Sequence, residues 1–118
     1  MRVIRIAKEK RKADGGAIFV GSVEVQQIVD VGERDLRLIE VHFKDGGRNR
    51  FHTHTTDQIL VITEGEGIVA TRAEQREVTV GDVAYIPAGE EHWHGARPGT
   101  DMTHLAINGG SSKTTITE

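Results

Sequence analysis

The stretch GGRNRFHTHTTDQILVITEG, Gly46 to Gly65, places His52 and His54 one residue apart and Gln58 four residues further on, at the head of an apolar run. Side chains alternate faces along a β-strand, so the two imidazoles project to one side, about 7 Å apart. Two imidazoles converging from one strand suit a metal ion. A second cluster, GDVAYIPAGEEHWH from Gly81 to His94, runs strand, tight turn and strand, and ends in another His-x-His pair, His92 and His94. The turn at Pro87, Ala88 and Gly89 should reverse the backbone and deliver His92 beside the first pair, because facing strands of a small barrel lie close enough to share one ligand. Three imidazoles and the amide oxygen of Gln58 then complete a set of four ligands. The chain contains no cysteine, which excludes disulfides, thiolate catalysis and thiolate ligation. Nitrogen and oxygen ligation with open positions suits a divalent transition metal: manganese, iron, nickel, cobalt or zinc.

Such residues need rigid elements to aim them. The chain offers short apolar runs at 17–19, 23–29, 36–43, 50–54, 58–63, 68–71, 77–80, 83–86 and 102–107. They are separated by turn formers: Asp14-Gly15-Gly16, Asp45-Gly46-Gly47, Glu64-Gly65-Glu66-Gly67, Gly81-Asp82 and Pro87-Ala88-Gly89. This pattern predicts an all-β fold, a sandwich or small barrel. The only segment with helical potential, 6–13, is strongly polar. With 118 residues and 13.0 kDa, one domain is expected: an N-terminal arm at 1–14, a β-barrel body at 15–108 and a flexible tail at 109–118 without a site. Val3, Ile4 and Ile6 could add an edge strand to the body or to a neighbouring chain, and the latter points to a homodimer.

Composition narrows the partners. No apolar run approaches the roughly 18 residues of a membrane span, and the first residues lack a signal-peptide pattern, so a cytoplasmic protein without membrane attachment is expected. The formal net charge of -3 gives no reason to expect nucleic acid, and Lys8, Lys10, Arg11 and Lys12 read as a solvated basic cluster. A small molecule is the expected partner.

The two clusters resemble the paired motifs of the cupins. The first cupin motif has glycine, five residues, His-x-His, a short gap, glutamate, six residues and glycine; Gly46, His52, His54, Gln58 and Gly65 match it with one substitution. The second has glycine, five residues, proline, x, glycine, two residues, histidine and a later asparagine. Gly81, Pro87, Gly89 and His92 match it, with Ala96 at the asparagine position. The resemblance implies a double-stranded β-helix, or jelly-roll, barrel. The run from Gly89 to Ala96, with Pro98 and Met102-Thr103-His104-Leu105-Ala106-Ile107, is similar to bacterial cupins with hydroxynitrile lyase activity, which also carry glutamine in the first motif and typically hold manganese. That likeness implies His52, His54, Gln58 and His92 as ligands, with His94 and His104 as polar, catalytic groups in the pocket. The strand periodicity is compatible with both.

Replacing the usual glutamate by neutral Gln58 leaves a divalent site its full charge, and so a stronger Lewis acid. The leading expectation is a metal-dependent enzyme on a small organic substrate, a lyase of hydroxynitrile lyase type. An iron-dependent dioxygenase and a non-enzymatic binding or sensor module are the alternatives. Arg48 or Arg50 could reach the pocket mouth and grip an anion. His42 reads as surface, Trp93 as facing away from its histidine neighbours, and Ile39, Val41, Phe43, Phe51, Leu60 and Ile62 as pocket lining or core.

Overall fold

Alternating inward apolar and outward polar residues build ten strands in the computed structural model, which describes residues 1–118. They are β1 (Lys12–Ala13), β2 (Phe19–Asp30), β3 (Leu36–Asn49), β4 (His52–His54), β5 (Gln58–Thr71), β6 (Gln75–Thr79), β7 (Val83–Ile86), β8 (His92–Ala96), β9 (Met102–Gly109) and β10 (Thr114–Ile116). All pairings are antiparallel. The first half of β5 pairs with β9 and the second half with β8, while β3 pairs with both β9 and β8. The ring β3-β9-β5-β8 is therefore closed, and the fold is a β-barrel.

The interior is stacked in cross-strand rungs from β3, β9 and β5. Phe43, Met102 and Gly65 form one; Val41, His104 and Ile62 the next; then Ile39, Ala106 and Leu60; and last Arg37, Asn108 and Gln58. Val23, Val41, Phe43, Ile62, Ala96 and Met102 make one buried apolar cluster, and Leu60, Ile86 and Ala106 a second. Fully burying each such large side chain contributes about 1.5–3 kcal/mol. The resulting rigidity lets polar groups be held at fixed positions in the remaining space.

Two glycine-bearing segments expected to break strands instead bend them. Asp45 and Gly46 have φ of 45° and 76° inside β3, and Gly65 has φ of 73° inside β5. The left-handed conformation makes a bulge that turns a long strand around the barrel, where a full reversal was expected. A Cβ at Gly65 would lie 2.0 Å from the carbonyl oxygen of Asp101, so the bend also needs the absence of a side chain.

The ends differ from expectation as well. The polar segment 6–13 forms a single 3-10 turn at Lys8–Lys10 and then the two-residue strand β1. Residues 1–6 form no strand, and Val3, Ile4 and Ile6 are exposed. Arg11 is not solvated: its side chain is 8% exposed and bridges Glu40 and Glu64 at 2.7 Å each, while Gln26 donates to the same Glu40 carboxylate. The arm therefore covers the outer face of β2 and β3. His42 lies on that outward face, yet it is half-buried rather than surface, with Nδ1 2.7 Å from the Thr103 hydroxyl and Arg11 close by. The tail is not a loose linker. Thr114, Thr115 and Ile116 pair with His54, Thr53 and His52, and Glu118 accepts hydrogen bonds from Arg48 and from the Phe51 amide.

Candidate metal centre and pocket

Strand β4 is three residues long, held between β8 and β10, and His52 stands directly opposite His92. The ring centroids of His52 and His92 are 4.3 Å apart, those of His52 and His54 4.7 Å, and those of His54 and His92 5.3 Å. One ring nitrogen from each falls within 4.8 Å of the others.

The outer nitrogens fix the tautomers. Nδ1 of His52 lies 2.6 Å from the Arg50 carbonyl oxygen, Nδ1 of His92 2.8 Å from that of Glu90, and Nδ1 of His54 2.9 Å from the Thr114 hydroxyl. A carbonyl oxygen only accepts, so Nδ1 of His52 and His92 carries the proton and Nε2 keeps its lone pair. Nε2 of His92 then meets Oε1 of Gln58 at 3.2 Å, acceptor against acceptor. Nε2 of His54 is buried without a partner. Lone pairs converging without a donor are what a cation satisfies, and three imidazoles with one amide oxygen fit a divalent transition ion. Burial, the largest influence on each ring, lowers all three pKa values, to about 4 for His52 and about 3 for His54, where charge on the neighbouring imidazoles adds. The three are thus neutral at pH 7, the state that ligates.

Gln58 is oriented in turn. Its Nε2 donates to Oδ1 of Asn108 at 3.0 Å, which leaves its oxygen facing the histidines.

A cavity of about 240 Å³ opens over this cluster. His52, His54 and Gln58 line one side, Phe19, Ile39, Val41, Phe43 and Ala106 form apolar walls, and His94, His104 and Asn49 close another part. Nε2 of His104 is 3.0 Å from Nδ1 of His94, so the two rings share one proton along this contact. Asn49 holds His94 on both sides, its Oδ1 accepting from the His94 amide at 2.8 Å and its Nδ2 lying 3.2 Å from the ring. Phe43 packs edge-on against His94 at 6.0 Å and lies 5.4 Å from His104. Burial pushes His104 down to about 4 and His94 well below its ordinary value, which neighbouring imidazoles reinforce. A larger, more open depression of about 420 Å³ lies on the outer face near Arg11 and His42, without any apolar lining, and is separate from these histidines.

The structure thus brings together all six residues singled out from the sequence: His52, His54, Gln58 and His92 in one cluster, His94 and His104 beside it. Neither Arg48 nor Arg50 lines the cavity. Arg48 pairs with Glu118 and lies 5.0 Å from the Trp93 ring, and Arg50 donates to the carbonyl oxygens of Ala17 and Phe19. Phe51 is outside the cavity, under the guanidinium of Arg72 at 3.8 Å. Asn49, Asn108, Arg37 and Thr114 line the site and were missed. Strand parity was the available signal for two of them: Arg37 lies two residues before Ile39, and Asn108 four after His104, on the same faces.

Residues 39–108 match the cupin domain. The (R)-mandelonitrile lyase of Granulicella tundricola is 34% identical over 109 residues, 91% of this chain and 83% of that protein. The acireductone dioxygenase of Gluconobacter oxydans is 32% identical over 60 residues, 48% of this chain and 32% of that protein. Among solved structures, a cupin-like protein from Thermotoga maritima superposes with a TM-score of 0.85 at 28% identity, covering 96% of this chain and 89% of that one. The closed barrel, the histidines converging from two motif strands and a match that runs through both motifs lead to one conclusion: this chain belongs to the cupin family.

Proposed function

We propose that this cupin is a metal-dependent enzyme on a small organic substrate, cleaving a carbon–carbon bond beside a hydroxyl in the manner of a hydroxynitrile lyase. One observation carries the reading: the His94–His104 pair lines the same cavity as His52, His54 and Gln58. The identity to (R)-mandelonitrile lyase supports it. In this reading His52, His54 and His92 hold a divalent transition ion, preferentially manganese, through Nε2, and Gln58 holds it through Oε1. When bound, the ion supplies Lewis acidity that makes a substrate hydroxyl easier to ionise.

The chain's own residues supply the rest. Gln58 is neutral and leaves the charge of the site uncompensated. His94, held by Asn49 and backed by His104, accepts the hydroxyl proton. For a cyanohydrin, the oxygen keeps the O–H electron pair and forms the aldehyde carbonyl. The C–C bond pair departs on cyanide, and the imidazolium returns its proton to give hydrogen cyanide. No electron acceptor is needed. Ile39, Val41 and Phe43 exclude water from the reacting group.

The test is mandelonitrile cleavage by the manganese-loaded protein, followed through benzaldehyde absorbance, with His94→Gln and His104→Gln. A general base contributes about 10²–10⁴-fold, so His94→Gln should lower kcat at least about a hundredfold with metal content unchanged. Undiminished turnover in both variants would refute the acid–base scheme. Oxygen uptake by the iron-loaded protein, with no cleavage by the manganese form, would move the assignment to a dioxygenase.

A further inference from the structure

The last interior rung, Arg37, Asn108 and Gln58, has an unusual hydrogen-bond balance. Gln58 turns its oxygen toward His92, so its Nε2 must point the other way, and it donates to Oδ1 of Asn108. That fixes the Asn108 amide as well: its Nδ2 is directed away from Gln58 and has no partner, although Asn108 is only 6% exposed. A buried donor left unpaired is costly, and it lines the cavity. Directly opposite Asn108 on β3 stands Arg37, which also lines the cavity. The ion pairs of the chain engage Arg11, Arg48, Arg72, Arg76 and Arg97. Arg37 is in none of them, and its guanidinium donates to no protein oxygen.

Two residues with unused side-chain donors, one of them permanently charged, therefore line the same small cavity from paired positions on β3 and β9, together with His52, His54 and Gln58. The only acidic side chain in the lining is Asp14, one of whose oxygens accepts from the Gly16 amide. We infer that Arg37 and Asn108 form an anion subsite that takes a small carboxylate ligand, its carboxylate held there and a hydroxyl beside it directed to the histidines. This rests on the proposed function for the role of the hydroxyl. The planar guanidinium fork matches a carboxylate, and the Asn108 amide adds a donor from the neighbouring strand. The apolar walls at Ile39, Val41 and Phe43 accept the rest of the molecule.

The test is calorimetric titration with mandelate and with its neutral amide, mandelamide, on metal-free and manganese-loaded protein. Wild type, Arg37→Gln and Asn108→Asp are compared. The Arg37 side chain makes no hydrogen bond or ion pair within the protein, so Arg37→Gln should fold and retain manganese. Asn108→Asp keeps the acceptor for Gln58 but replaces the inward donor by a negative oxygen. Mandelate should bind wild type at least tenfold more tightly than mandelamide, in both metal states. Arg37→Gln should remove most of that preference at unchanged metal content, and Asn108→Asp should remove most of it in the metal-free protein. Equal binding of the two probes, or a preference that survives Arg37→Gln, would overturn the inference and leave the lyase assignment standing. Absence of bound manganese would overturn the lyase assignment, while the metal-free titration would still decide the subsite.

Discussion

Thr114 lies in a segment that reads as a flexible tail, yet its hydroxyl is 2.9 Å from Nδ1 of His54. With Nε2 of His54 directed to the cluster, Nδ1–H donates to this hydroxyl, which sets the ring orientation and raises the basicity of the ligating nitrogen. Thr114→Val keeps the shape and removes the acceptor. A single net hydrogen bond contributes about 0.5–1.5 kcal/mol, and outer partners of ligating histidines change metal affinity about 10–100-fold. Thr114 is exposed, so the lower end applies: about a tenfold loss, or about 1.4 kcal/mol. The assay is Co(II) binding in competition with a chromophoric chelator. Thr114→Ser should stay near wild type, because it restores the acceptor. Deleting residues 112–118 should cost more than Thr114→Val, since it also removes the β10 pairing with β4. Thr114→Val within twofold of wild type would show that β10 does not position His54.

Two further predictions concern the barrel itself. Gly65→Ala combines a left-handed backbone with a Cβ 2.0 Å from the Asp101 carbonyl oxygen. Strain and overpacking together should cost about 2–5 kcal/mol, read as a lower urea midpoint; an unchanged midpoint would mean the β5 bend is not where it is placed. The metal-free protein should also weaken in mild acid. His104 is lowered from 6.5 to about 4 by burial, so the unfolded chain takes up its proton first as pH falls. Stability present above pH 6.5 is lost as pH drops toward 4. By linkage this one group removes about 2 kcal/mol between pH 7 and pH 5. Urea titrations of wild type and His104→Phe test it: the variant should show a shallower pH slope, and identical slopes would contradict a buried, neutral His104.

The pairing of His52 with His54, and of His92 with His94, was legible because strand alternation is a rule of side-chain direction: each pair had to share a face. Their convergence depended on the turn at Pro87 to Gly89, which leads into β8 beside β4. What was not legible was set by tertiary context. Gly46 and Gly65 carry the same local signal whether they end a strand or bend it, and only the closed ring decides. Thr114 and Glu118 are ordinary polar residues whose order comes from β4 and from Arg48. Arg11 looked solvated because its partners, Glu40 and Glu64, are 29 and 53 residues away. Arg48 and Arg50 were attractive by proximity to His52, but β3 and β4 direct them elsewhere; Arg37, on the correct face of β3, lies far from any motif.

The central claim is that three histidines and one glutamine of this barrel hold a divalent metal, and elemental analysis by mass spectrometry tests it most directly. Wild type, His52→Ala, His92→Ala and His42→Ala are purified, reconstituted with manganese and desalted. Wild type and His42→Ala should retain one ion per chain, because His42 lies on the outer face against Thr103, whereas His52→Ala and His92→Ala should retain almost none. Equal retention in all four, or no metal in the wild type, would contradict the account.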